Sequence, residues 1–121
     1  MMKTKNIILD KTFDFSLKII ELYKYLIYEK KEYVMSKQLL RSATSIGANS
    51  VEADSGQSHR DFIAKMSIAF KEANETKYWL RLLMKSGYIN SKTIIDDCDE
   101  IVRIITTILL TARKNEEKKW K

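Results

Sequence analysis

Residues 41–54 read RSATSIGANSVEAD, and whether this stretch is helix or loop decides how many elements the chain folds into. Small and hydroxyl-bearing residues crowd around one glycine, which taken alone suits a loop. The surrounding sequence argues for helix. The chain holds no proline and only three glycines in 121 residues, so few positions can interrupt one. On a 3.6-residue period Ala43, Gly47, Ser50 and Asp54 form a narrow strip flanked by Leu39, Ile46 and Ala53. Such a strip lets a second helix approach closely, because nothing bulky holds the backbones apart. Gly47 costs about 1 kcal/mol relative to Ala inside a helix, and close packing is the natural compensation. Thr44, Ser45, Asn49 and Glu52 bring polar groups to the neighbouring face.

Working outward, helices are expected on both sides. A first helix is expected over about residues 12–31, where Phe13, Leu17, Ile20 and Ile27 make one apolar stripe and Phe15, Ile19, Leu22 and Leu26 a second. Two adjacent stripes form a face wide enough for more than one neighbour. Ser36 is the expected N-cap of helix 36–55, with Met35 and Leu40 placed as a hydrophobic staple and Gly56 as the stop. Ser58 caps a third helix, over 58–87, with Asp61 where a capping box carries Glu or Gln. Along it Phe62, Met66, Ala69, Ala73, Thr76, Leu80 and Leu83 step alternately by four and three, an unbroken heptad seam. Gly87 closes that helix and Ser91 opens a fourth, over 91–115. Its seam is Ile94, Cys98, Ile101, Ile105, Ile108 and Ala112, widened by Ile95, Val102 and Leu109. The charged tail beyond Asn115 is expected to fray. No run alternates at the strand period for long. The prediction is an all-α single domain, an antiparallel up-down-up-down four-helix bundle.

Composition narrows the function. A formal net charge of +6 and a pI near 9.4 favour an anionic partner. Residues 56–90 carry six basic and three acidic side chains, half of the net charge. The lone Cys98 cannot form an internal disulfide, which suits a reducing cytoplasm. The apolar run 104–112 is broken by threonines and is too short to cross a membrane.

Chemistry-bearing groups are scarce. The only histidine, His59, falls in the first turn of the third helix, where a surface position is the expected one. Paired Glu-x-x-His motifs for a di-iron site are missing. No Arg stands four to six residues before His59, as a HEPN-type RNase would need, and Cys98 falls on a core seam. No catalytic residue, metal or cofactor is expected. Arg41, Ser45, Asn49, Glu52, Glu72, Glu75 and Trp79 form an expected structural polar cluster, tying the second helix to the third or to a neighbouring subunit. On the opposite face of the third helix lie Arg60, Lys71, Asn74, Tyr78, Arg81 and Lys85. These are candidate nucleic-acid contacts, cations and an amide for phosphate and a ring for unpaired bases. Lys118, Lys119 and Lys121 around Trp120 make a second, smaller basic spot.

The ordered set TSIGANSVEA, then DFIAKMSIAFKEANETKYWLRLL, then SGYI resembles the four-helix-bundle family of the 23S rRNA intervening-sequence protein. The family pattern is Arg, a T/S-S-I-x-A-N-x-x-E core, and then D-F, I-A, E and W-L. The match covers roughly Leu39 to Ile89, and Ala53 departs from it where many relatives have Gly. The resemblance implies a small bacterial protein, often a ring-like homopentamer. A relative in diversity-generating retroelements assists a reverse transcriptase and binds nucleic acid through a basic surface. The expected function is therefore a non-enzymatic homo-oligomer that binds nucleic acid, RNA sooner than DNA. The alternative is a protein-assembly scaffold, with a partner such as a reverse transcriptase and incidental basic charge.

Overall fold

The computed structural model describes the backbone of residues 2–120 and the side chains of residues 7–115. It contains α1 (Met2–Tyr28), α2 (Met35–Asp54), α3 (His59–Lys85) and α4 (Thr93–Trp120), with no strand among the described residues. The stretch RSATSIGANSVEAD lies wholly within α2.

Each helix packs against its sequence neighbours, and α4 returns to α1, while among the described residues the backbones of the two diagonal pairs do not come close. Side-chain pairs give the directions. Arg41 meets Glu72, while Glu52, farther along α2, meets Lys65, earlier on α3. Lys77 pairs with Asp99, whereas Arg113 reaches back to Ser67. Lys11 pairs with Glu100 and Lys18 with Asp97. In each case numbers rise on one helix as they fall on the other, so these neighbours are antiparallel. The α1–α2 and α3–α4 links consequently share one end of the bundle.

The two heptad seams form the core. Met66, Ala69, Ala73, Thr76, Leu80 and Leu83 of α3 are buried, as are Cys98, Ile101, Ile105, Ile108 and Ala112 of α4. From α1 the core takes Ile8, Phe15, Ile19 and Leu26. The other α1 stripe lies outside this core, with Phe13 65% and Leu17 49% exposed and Ile20 and Ile27 half-buried.

The small residues of α2 serve two contacts. Toward α3, Ser42 is buried and accepts a 2.9 Å hydrogen bond from the Thr76 hydroxyl. Toward α1, Gly47 lies on Thr12, and a Cβ at position 47 would sit 3.4 Å from Thr12 Oγ1.

Helix ends depart from expectation in several places. α1 begins at Met2, ten residues before the expected start, and ends at Tyr28 rather than near Lys31. No glycine stands at that end, and Lys31 itself takes the left-handed turn, at φ 55°. Ser36 is not the N-cap of α2; Val34 occupies that position and caps with no side chain. The Glu32 carboxylate does the capping, accepting from the amides of Val34, Met35 and Ser36 at 3.2, 3.0 and 2.7 Å. Burial alone would raise the pKa of Glu32, but the three backbone donors hold it below the ordinary glutamate value. Ser58 does cap α3, accepting from the Asp61 amide at 3.0 Å. At the C-terminus of α3, the Gly87 amide bonds the Met84 carbonyl and the Tyr88 amide the Leu83 carbonyl, with Gly87 at φ 87°. This is a Schellman ending with glycine in its left-handed position. α4 continues to Trp120 instead of ending near Asn115. The side chains of Lys118, Lys119, Trp120 and Lys121 lie outside the described residues.

Candidate nucleic-acid interface

The heptad seam of α3 points inward, so the residues between its steps are turned outward. Arg60, Lys71, Asn74, Tyr78, Arg81 and Lys85 are all exposed and run along one outer ridge of the helix. Among the described residues none of the four cations takes part in an ion pair. Asn74 donates to the Phe70 carbonyl at 3.1 Å, so its amide nitrogen is already used within the helix. Tyr78 is 57% exposed and meets Trp79 edge-on, the ring centroids 5.2 Å apart.

α4 supplies cations that the helix-three pattern did not include. Lys77–Asp99 at 2.7 Å and Arg113–Ser67 at 3.3 Å fix which flank of α4 borders α3. Arg103 lies one turn beyond Asp99 on that flank and is exposed, with no ion pair among the described residues. The spacing Asp99, Arg103, Arg113 signals this in the sequence, but only once Asp99 is known to face α3.

The seven residues expected to form a polar cluster separate into three groups. Arg41 binds both Glu72 oxygens at 3.3 Å and Glu75 at 2.6 Å, and Trp79 donates to Glu75 at 3.1 Å. The Trp79 and Arg41 hydrogen bonds lower the pKa of Glu75 against an opposing burial effect. Ser45 and Asn49 turn back to their own helix, bonding the carbonyls of Arg41 and Ser45. Glu52 leaves the group for Lys65, at 2.9 Å. Serine and asparagine on a helix bond the preceding turn readily, without having to reach a neighbour.

His59 and Cys98 have structural surroundings. The Nε2–H of His59 donates to the Ala112 carbonyl at 2.8 Å, tying the first turn of α3 to α4. That cross-helix bond had no sequence signal. His59 also lines a cavity of about 590 Å³ between the α2–α3 link and α4, with Phe62 and Ile108 among its apolar walls. Cys98 is fully buried, its Sγ 3.4 Å from the Ala73 carbonyl, and desolvation beside Asp99 pushes its thiol up to about 12. A thiol held protonated in this way is a core side chain, not a nucleophile.

These features define an all-α, four-helix protein with one exposed cationic helix ridge. Over residues 4–107 the sequence matches the family described as 23S rRNA-intervening sequence protein, and the chain belongs to that family. The fold is similar to a 1.70 Å crystal structure of a protein of unknown function from the S23 ribosomal protein family of Bacteroides thetaiotaomicron VPI-5482. The two are 50% identical with a TM-score of 0.86, over 88% of this chain and 97% of that one. No curated protein matches the sequence.

Proposed function

We propose that this protein is a non-enzymatic, self-associating helical bundle of the cytoplasm that binds nucleic acid, RNA in preference to DNA. Binding occurs along the α3 ridge and the adjoining flank of α4. The observation that carries this reading is a set of exposed cations, Arg60, Lys71, Arg81, Lys85 and Arg103, with no carboxylate among the described residues paired to any of them. Elsewhere several cations are neutralised across helices, as in Lys11–Glu100 and Lys18–Asp97. Unpaired guanidinium and ammonium groups on a convex ridge suit phosphate oxygens. A smooth helix ridge has no element shaped to read base edges in a groove, so its contacts carry shape and charge more than sequence. The family description, which refers to rRNA, favours RNA.

A scaffold reading has one observation in its favour, the apolar stripe of Phe13 and Leu17 left exposed on α1. We assign that stripe to contact between copies of this chain, with the pentamer implied by the family resemblance as the expected assembly. A protein partner such as a reverse transcriptase belongs to the alternative.

The test is a titration of a structured RNA hairpin at about 50 and about 200 mM salt. It compares the wild type with Arg60→Glu/Lys71→Glu/Arg81→Glu/Lys85→Glu. Wild-type affinity is expected to fall steeply with salt; the quadruple variant, folded by circular dichroism, binds more weakly with a flatter salt slope. Equal affinity in the folded variant moves the site elsewhere, and no wild-type binding to RNA or DNA supports the scaffold.

A further inference from the structure

We infer that the bundle end formed by the α1–α2 and α3–α4 links holds unpaired bases of a single-stranded nucleic acid, with the cleft beside Tyr25 as the seat of one base. This rests on the nucleic-acid reading above, but it places a second, chemically different contact away from the middle of the α3 ridge.

Three exposed tyrosines gather at this end, beside the part-buried Tyr88 of the α3–α4 link. Tyr25 is 42%, Tyr28 66% and Tyr33 58% exposed. Tyr25 and Tyr28 are three residues apart on α1, so they are neighbours on its surface. None of the three belongs to the core. A tyrosine ring offers an apolar face to any unstacked base, whereas a duplex keeps its bases stacked on one another.

A cleft of about 440 Å³ opens beside the Tyr25 ring, with Leu22, Ile89 and Ile94 as its apolar walls. Asn90, Ser91 and Thr93 line the same cleft, and the Lys18–Asp97 ion pair, at 3.0 Å, closes it on the α1–α4 side. Apolar walls with an amide and hydroxyls along one side match a nucleobase, whose two faces are apolar in character and whose edge carries donors and acceptors.

Charge at this end completes the argument. Lys30 Nζ lies 5.9 Å from the Tyr25 ring centroid. Lys31, Lys37, Lys85 and Lys92 are exposed, with no ion pair among the described residues, while Glu29 is an exposed acid among them. Lys85 is also the last cation of the α3 ridge, so one strand can pass from phosphate contacts on the ridge to the tyrosines. Aromatic faces interleaved with ammonium groups are the arrangement that single strands use.

The test measures fluorescence anisotropy of a labelled oligouridine and of an RNA duplex, each about twelve units long, with the full chain. The proteins are wild type, Tyr25→Ala/Tyr28→Ala/Tyr33→Ala, the matching triple Phe variant, and the quadruple ridge variant. The triple Ala variant is expected to lose at least about tenfold in affinity for the single strand and to hold the duplex within about twofold. The triple Phe variant, which keeps its rings, stays near wild type. A folded triple Ala variant that binds the single strand like wild type overturns the inference, as does equal loss on both probes. If wild type binds only the duplex, this inference fails and the ridge reading stands. If the triple Ala variant loses the single strand while the ridge variant keeps full duplex affinity, the inference stands and the ridge reading fails. Binding to neither probe ends both. Wild-type binding to phosphatidylglycerol vesicles, lost in the triple Ala variant while the single strand still binds, reassigns the end to a lipid surface.

Discussion

At the start of α2, three amide hydrogens with no partner inside the helix point at one carboxylate, that of Glu32. Because these bonds go to the ionised form, they stabilise the fold only while Glu32 is charged. Its folded pKa lies below its ordinary value of 4.5. The contribution is therefore complete above the ordinary glutamate range and is lost as pH falls through the lowered folded value. Glu32→Gln is expected to cost about 1–3 kcal/mol at neutral pH, and denaturant melts should show the gap to wild type closing in acid. A gap unchanged between pH 7 and pH 3 would remove Glu32 from its capping role. Gly47 is tested by size. Gly47→Ala brings a Cβ into ordinary contact with Thr12 and gains helix propensity, so stability should hold or rise by up to about 1 kcal/mol. Gly47→Leu overpacks the α1–α2 crossing and should cost about 1–3 kcal/mol. A leucine variant that melts no lower than wild type would show that the crossing has room.

The helices illustrate two ways of ending without proline. α3 ends on Gly87 in the left-handed region, where glycine carries no Cβ penalty. α1 meets the same geometric need at Lys31, with a side chain that disfavours it. Substitutions at the two sites should have opposite signs. Gly87→Ala is expected to destabilise by about 1–2 kcal/mol, and Lys31→Gly to stabilise by roughly 0.5–1 kcal/mol. Thermal melts of the two variants check this directly, and a stabilised Gly87→Ala would refute the strain argument. On α3 the alternation of four- and three-residue steps placed the core in advance, because a seam can only face one way. α1 was ambiguous because both of its apolar stripes satisfy the helical period.

For the whole molecule, the exposed α1 stripe sets up a separation of folding from assembly. Phe13 and Leu17 stand outside the core of the single chain, so Phe13→Glu/Leu17→Glu should leave the helical circular dichroism spectrum intact. Native mass spectrometry of the wild type is expected to give a multiple of 14.2 kDa, and of the double variant a smaller species. A wild type that stays at the monomer mass over a broad concentration range removes self-association from the proposal.

The number of helices, their seams, the Ser58 cap and the outward ridge of α3 were legible in the sequence, because each depends on local spacing and the helical period alone. Hydrophobic spacing also marked α1 as apolar on two sides. Tertiary structure decided which of those sides is core, since that depends on where α2 and α4 stand. It also decided that Glu32 rather than Ser36 caps α2, that Glu52 pairs with Lys65 outside the polar cluster, and that Arg103 joins the cationic face. The same holds for the meeting of Tyr25 with the α3–α4 link. Each of these joins residues through the path of the backbone, by a turn at Lys31 or by the register of one helix against the next. A helical period fixes direction around an axis but says nothing of a neighbour's height along it, and the packed bundle supplies that height.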